Sequence, residues 1–261
     1  MLETTKMGAL MATVIGVANQ KGGVGKTTTT FNLAAALHQK GHRVLLVDND
    51  PQANLTSYAT TVRDFQLSVD EIYVSKRPLV VEMGQLITVK DGLCLLPADE
   101  MLSGVEYYLM SRPDRTLVLR RALAEVRQSF DFILIDNPPA LNLLTVNGLM
   151  ASDKVLIPVQ PEFFSLEGIV QLRSTLAHLK ESHPDLEILG VVANMYDERR
   201  KLNFEVVQEL QKELRVFTTR IHDSVKIAES SGHGKSIFEY APRSRSAEEF
   251  RNLATELVER V

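Results

Sequence analysis

One glycine-rich loop in this sequence has the residue types needed to hold a polyphosphate. Residues 20–28 read QKGGVGKTT, after an apolar segment and before a helix-length one. Glycines let successive backbone N–H groups turn inward around phosphate oxygens, and the following helix N-terminus adds partial positive charge. Lys26 can reach the outer phosphates, and the Thr27 hydroxyl can bind Mg²⁺. The stretch therefore predicts a nucleotide phosphate site.

The loop departs from both common glycine-rich patterns. The pattern G-x-x-x-x-G-K-[ST] has glycine where this chain has Gln20, and a second lysine, Lys21, stands at the head of the loop. A Rossmann dinucleotide loop fits less well, because Thr28 occupies the position of its third glycine. A glycine-rich turn without a ligand is the remaining alternative, and the strand–helix context disfavours it.

Acidic residues follow two other apolar, strand-like segments. Asp48 and Asp50 come after residues 44–47, and Asp136 comes after residues 132–135. Because the carboxyl ends of parallel strands meet at the ligand-binding edge of an open α/β sheet, these carboxylates should lie beside the loop. We expect Asp50 to orient an attacking water, and Thr27, Asp50 and Asp136 to form a Mg²⁺ site.

Short apolar runs alternate with amphipathic helix-length segments along the chain. This alternation predicts an α/β fold with a mostly parallel twisted sheet and helices on both faces. The chain is interpreted as one domain, residues 1–261, with residues 1–11 as a flexible N-terminal extension. The predicted strands are 13–18, 43–47, 93–96, 132–135, 155–159 and 188–193, and the predicted helices are 26–39, 115–127, 165–180, 202–214 and 246–260.

Composition excludes several classes of protein. A formal net charge of −4 excludes a chain that is basic overall, although a local basic patch remains possible. No apolar run reaches the roughly 18 residues of a transmembrane helix, and the N-terminus lacks the pattern of a secretion signal. Cys94 is the only cysteine, so an intrachain disulfide is excluded. This is expected of a protein in the reducing cytoplasm. The last helix has an acidic polar face, which predicts packing on the sheet and not on a membrane.

The loop and the first acidic segment together resemble a known family. Residues 21–27 (KGGVGKT) with residues 48–52 (DNDPQ) are similar to the deviant Walker A ATPases of the ParA/MinD group, and within it to short ParA/Soj partition ATPases that lack an N-terminal DNA-binding extension. The similarity extends over nearly the whole chain, through residues 95–98, 157–168, 194–199 and 232–244.

The resemblance implies a single-domain P-loop NTPase that hydrolyses ATP with Mg²⁺. It implies a homodimer that closes around two ATP molecules, with Lys21 reaching the partner's phosphates, and slow hydrolysis stimulated by a ParB-like protein. It also implies non-specific binding to double-stranded DNA and a cytoplasmic, nucleoid-associated protein that segregates a chromosome or plasmid, with no membrane partner. The implied catalytic residues are Lys21, Lys26 and Asp50, and the nucleotide-binding residues are Lys21, Gly22, Gly23, Val24, Gly25, Lys26, Thr27, Thr28 and Asn194.

The chain departs from the family at the second acidic segment and near residues 221–231. Asn137 stands where the family usually has cysteine, His222 replaces a proline on the adenine side, and Lys226 replaces a DNA-contacting arginine. The candidate DNA contacts are Arg199, Lys226, Lys235 and Arg243.

Three alternative functions make different demands on the sequence. A MinD-like membrane-cycling ATPase requires a basic amphipathic tail, which is not found here. A ParA-like ATPase that positions a protein cargo on the nucleoid shares the chemistry and differs only in its partner. A nitrogenase-reductase-like electron carrier is excluded, because Cys94 is the single thiol and Asn137 occupies the place of a metal-ligand candidate.

Overall fold

The computed structural model describes residues 11–162 and 165–261. The predicted N-terminal extension lies outside the described residues, apart from Met11, whose side chain is exposed.

Eight strands form one sheet among the described residues, in the order β3-β4-β2-β5-β1-β6-β7-β8. Only the edge strand β3 runs antiparallel to its neighbour; the other pairings are parallel. The predicted α/β fold with a mostly parallel sheet is therefore confirmed. The strands are β1 (Thr13–Val17), β2 (Val44–Asp48), β3 (Ile87–Lys90), β4 (Leu93–Leu96), β5 (Phe132–Asp136), β6 (Lys154–Val159), β7 (Glu187–Tyr196) and β8 (Val216–His222).

Helices cover both faces of this sheet, since alternate residues of each central strand belong to different apolar clusters. In β2, Leu46 packs in the cluster containing Leu33 and Phe250, whereas Leu45 packs in the cluster containing Leu119. The α-helices are α1 (Lys26–Gln39), α2 (Asn54–Ala59), α3 (Val69–Val74), α4 (Val105–Met110), α5 (Val118–Leu123), α6 (Leu143–Ala151), α7 (Ser165–Lys180), α8 (Lys201–Glu213), α9 (Val225–Gly232), α10 (Ile237–Tyr240) and α11 (Arg245–Val258).

The predicted helix over residues 115–127 is wrong in extent. Helix α5 covers only Val118–Leu123, and a separate 3-10 helix follows over Val126–Ser129. Asp114 forms ion pairs with Arg112 and Arg121, and its carbonyl accepts a hydrogen bond from the Leu117 amide at 2.8 Å. This turn delays the start of the helix.

The predicted packing of the C-terminal helix on the sheet is confirmed. Helix α11 packs against β8 and α1, and it buries Phe250, Leu253 and Leu257 completely. Within the described residues, no helix has the length and apolar character required to cross a membrane.

Candidate functional site

The glycine-rich loop joins β1 to α1 and requires glycine at two positions. Gly23 and Gly25 have φ angles of 74° and 83°, a region that L-residues other than glycine occupy at a cost. A Cβ atom at Gly25 would also lie 2.9 Å from Nδ2 of Asn194. The loop is therefore shaped by backbone conformation and by close packing against the end of β7.

Lys26 opens α1 and is almost buried, with 7% of its surface exposed. Burial lowers the pKa of its ammonium group, and the nearby carboxylates of Asp136 and Asp50 oppose this shift. The structure thus brings together the three residues predicted for phosphate binding, metal binding and water activation.

Asp136, at the end of β5, is completely buried. Its Oδ1 atom accepts a hydrogen bond from Thr30 at 3.3 Å, whereas Oδ2 has no hydrogen-bond partner among the described residues. Burial, and next the charge of Asp48, raise the pKa of Asp136 to about 8. A cation beside this unpaired oxygen would favour the ionised carboxylate.

These residues fit Mg²⁺ bound in the presence of a nucleotide. No group of three or more acidic, histidine or cysteine side chains that could hold a metal occurs in the described part of the chain. Mg²⁺ does not require one, because it usually keeps several waters and binds one or two carboxylates together with substrate phosphates. Thr27, Asp50 and Asp136 are the residues that would supply its protein oxygens.

The two carboxylates that follow β2 have different environments. Asp48 is fully buried, and its Oδ2 accepts hydrogen bonds from the backbone amide and the hydroxyl of Thr56, both at 2.7 Å. Asp50 Oδ1 accepts one hydrogen bond, from the Gln52 amide at 3.0 Å. Asp48 therefore fixes the start of α2, whereas Asp50 retains capacity to bind a water. This role of Asp48 was not predicted from the sequence.

A cavity of about 250 Å³ adjoins the loop, and Asn194 lies in its wall. The Nδ2 group of Asn194 donates hydrogen bonds to the Val24 carbonyl at 3.0 Å and to the Thr29 hydroxyl at 2.8 Å. Its buried Oδ1 has no partner among the described residues. The Asn194 amide thus connects the phosphate loop and α1 to the end of β7 in the wall of this cavity.

His222, at the end of β8, also lines this cavity. Its Nδ1 lies 2.6 Å from Glu249, its Nε2 lies 2.8 Å from Glu198, and Arg245 contacts both carboxylates. His222 is thus held by a charged network that was not predicted, since the members of this network are distant in the chain.

Lys21 is bound within its own protomer. Its Nζ atom lies 2.5 Å from Glu162 in the loop after β6, and the two side chains are about one-third exposed, at 34% and 39%. The Lys21 amide donates to Asn19 at 3.0 Å. The intrachain partner of this lysine was not predicted.

The four candidate DNA contacts lie on exposed segments in the last third of the chain. Arg199 is paired with Asp197 through Nε at 2.9 Å and through its NH2 nitrogen at 3.0 Å. In the part of the chain that the structure describes, Lys226, Lys235 and Arg243 form no ion pair. Lys226 lies on α9, and the other two flank α10.

Comparison with known proteins gives matches over nearly the full chain. A family model described as "AAA domain" matches residues 12–188. Sporulation initiation inhibitor protein Soj from Bacillus subtilis is 44% identical, and the match covers 95% of this chain and 98% of that protein. Chromosome partitioning protein ParA from Caulobacter vibrioides is 39% identical, with coverage of 95% and 94%.

A solved structure shows the same fold. The structure of cobyrinic acid a,c-diamide synthase from Mycobacterium smegmatis with bound ADP and magnesium has a TM-score of 0.82, 34% identity and coverage of 95% of both chains.

Proposed function

Because the chain belongs to the ParA/MinD family of P-loop ATPases, we propose that it is a partition ATPase that uses ATP-driven dimerisation to bind DNA and position a replicon. The observation that carries this proposal is the placement of buried Lys26 beside Asp50 and Asp136, next to a cavity that Asn194 lines. The names of the relatives at 44% and 39% identity support the partition role.

Each residue of the site has a distinct proposed role. The backbone of residues 21–25 and the Lys26 ammonium hold the phosphates, and Thr27, Asp50 and Asp136 hold Mg²⁺. When it is bound, the metal neutralises charge on the phosphate oxygens. Asp50 orients the attacking water. Thr28 and Asn194 contact the nucleotide on the side of its base.

Lys21 acts across the dimer in this proposal. A cation supplied by a second protomer can offset charge on the transferring phosphoryl group. To reach the partner's ATP, Lys21 has to leave Glu162. Since both side chains are partly exposed, the ion pair contributes only about 0–1 kcal/mol, and its loss is a small cost. Hydrolysis is then slow in the monomer and depends on assembly.

The proposed partners are duplex DNA and a ParB-like protein that stimulates hydrolysis, in a cytoplasmic and nucleoid-associated cycle. The free cations Lys226, Lys235 and Arg243 support DNA binding. We also propose that the chain works as one domain, since the described strands share one sheet.

DNA binding measured with ATP, with ADP and without nucleotide tests this proposal. Two duplexes of unrelated sequence and two salt concentrations should be compared, with size-exclusion chromatography to report dimerisation. We expect strong binding only with ATP, and equal affinity for both sequences. DNA binding that is equally strong with ATP, with ADP and without nucleotide, or that prefers one DNA sequence, would contradict the proposal.

An ATP-bound dimer that fails to bind DNA would favour a membrane or protein surface as its target. The fully buried apolar face of α11 disfavours the membrane. Co-sedimentation with anionic liposomes in the presence of ATP would distinguish these two outcomes.

A further inference from the structure

Two buried asparagines join the strand ends that carry the catalytic candidates. Asn49 lies between Asp48 and Asp50, and Asn137 directly follows Asp136; both asparagines are completely buried. Asn49 Nδ2 donates a hydrogen bond to Asn137 Oδ1 at 3.0 Å. We call this contact the amide clasp.

The clasp also reaches the strand that leads into the phosphate loop. Asn137 Nδ2 donates to the carbonyls of Val17 and Ile135 at 3.2 and 3.3 Å. Val17 is the last residue of β1. Three strand ends, those of β1, β2 and β5, therefore meet at one pair of side chains.

Every polar atom of the clasp has a partner. Asn49 Nδ2 makes a second hydrogen bond, to the Leu144 carbonyl at 2.8 Å, and Asn49 Oδ1 accepts one from the Tyr73 hydroxyl at 2.8 Å. A fully satisfied buried polar network is rigid, because any displacement leaves an unpaired group in a low-dielectric interior.

Helix α6 makes room for the clasp with a glycine. A Cβ atom at Gly148 would lie 1.9 Å from Asn137 Oδ1 and 3.0 Å from Asn49 Nδ2. Real Cβ atoms do not approach an oxygen as closely as the first distance, so residue 148 has to be glycine while Asn137 occupies this space. We call Asn137 and Gly148 the matched pair.

We propose that the amide clasp positions Asp50 and Asp136 for hydrolysis by fixing the loops after β2 and β5 against the start of the phosphate loop. Asn49 and Asn137 are positioning residues and touch neither the nucleotide nor the water. The inference rests on the roles proposed above for Asp50 and Asp136. Because a misplacement of about 1 Å can lower a rate by about 10²-fold, loss of the clasp should lower turnover and leave nucleotide affinity nearly intact.

The matched pair provides a test that separates folding from positioning. In the double variant Asn137→Ala/Gly148→Ala, the new methyl group at residue 148 occupies space that the amide has vacated, which limits the cavity. We expect single-turnover hydrolysis about 10- to 100-fold slower than in the unmodified protein, with the ATP dissociation constant changed less than about threefold. Thermal unfolding and ATP-dependent dimerisation by size exclusion should be measured on the same samples.

A second variant covers the case in which the first does not fold. Asn137→Cys keeps a side chain of similar size without the amide, and should show the same separation of rate from affinity with at least about a threefold slower rate. Ser152→Ala is the control, because Ser152 Oγ is buried nearby and donates to the Gly148 carbonyl, and among the described residues it has no hydrogen bond to either asparagine. Its hydrolysis should match that of the unmodified protein.

Two results would overturn the inference: hydrolysis at the unmodified rate in a folded clasp variant, or a loss of ATP affinity as large as the loss of rate. Asp50→Ala, measured in parallel, tells this failure apart from failure of the proposed function. If Asp50→Ala loses hydrolysis and the clasp variants do not, only the positioning role proposed for Asn49 and Asn137 is wrong. If Asp50→Ala hydrolyses ATP normally, the proposed catalytic roles are wrong.

Discussion

At the scale of single residues, burial determines what each charged group beside the phosphate loop can do. Lys26 and Asp136 are removed from water and influence one another's ionisation, whereas Lys21 remains partly exposed on Glu162. The first two are suited to fixed electrostatic roles, and Lys21 is suited to a contact that forms and breaks.

Replacement of Lys26 should abolish nucleotide binding. Lys26→Ala removes the buried cation that faces the outer phosphates, and the neighbouring carboxylates then repel the anion. Calorimetric titration with ATP should detect no binding in the concentration range that saturates the unmodified protein. Lys40→Ala, at the exposed end of α1, is the matched control. Near-normal affinity of Lys26→Ala would disprove the phosphate-site assignment.

Replacement of Asp50 should separate binding from hydrolysis. Asp50→Ala keeps the phosphate loop and Lys26, so ATP binding and dimerisation should persist. Turnover should fall by about 10²–10⁴-fold, the contribution of a positioned general base. A long-lived dimer should accumulate with ATP in size-exclusion chromatography. Unchanged turnover would mean that a group other than Asp50 orients the attacking water.

Asp136 should make the nucleotide-free protein less stable as the pH rises. Its folded pKa of about 8 lies above the usual value near 3.9, so the folded state retains a proton that the unfolded chain has lost. Stability therefore falls with increasing pH between about 4 and 8. Asp136→Asn removes this titration and keeps an acceptor for Thr30.

Urea unfolding without nucleotide or Mg²⁺ at pH 5 and pH 8 measures this effect. At pH 8, the free energy of unfolding of Asp136→Asn should exceed that of the unmodified protein. At pH 5, the difference between the two proteins should be smaller. Equal differences at both pH values would contradict the environment described for Asp136.

At the scale of elements, α11 stabilises the fold through its apolar face. Leu253 is completely buried between the sheet and α1. Leu253→Ala should reduce the free energy of unfolding by about 2–5 kcal/mol, because it loses buried surface and leaves a cavity. Asn252→Ala, at an exposed position one residue earlier, should change it by less than about 0.5 kcal/mol. Urea titration compares the two, and similar small effects would mean that α11 is not docked as described.

At the scale of the whole molecule, net charge makes DNA binding dependent on assembly. A protomer with a charge of −4 is a poor ligand for a polyanion, whereas a dimer presents two copies of each exposed cation. The logarithm of affinity should fall with the logarithm of salt concentration by about 0.9 for each phosphate neutralised. With about four to eight contacts, affinity should drop by roughly two to four decades between 50 and 200 mM salt.

Lys226→Ala should flatten this salt dependence and weaken binding to all sequences alike. Lys40→Ala removes the same charge at the C-terminal end of α1, outside the set of candidate DNA contacts, and should leave the slope unchanged. If the Lys226 variant has an unaltered slope of log affinity against log salt, α9 does not contact DNA through Lys226.

The sequence by itself determined the parts of this protein that depend on neighbouring residues. The phosphate loop and α1 lie within one continuous stretch, and the predicted helix over residues 26–39 has the bounds that the structure gives. The convergence of Asp50 and Asp136 was predictable as well, because parallel strands place their carboxyl ends at one edge of the sheet.

Only the tertiary structure decided which side chains hold that edge together. Lys21 meets Glu162 across 141 positions, and Asn49 meets Asn137 across 88. Strand β8 was missed because only Phe217 and Ile221 of its residues are buried, too few for a clear periodic pattern. Such contacts arise from the packing of separate elements, and local periodicity and residue type do not specify which distant side chain becomes the partner.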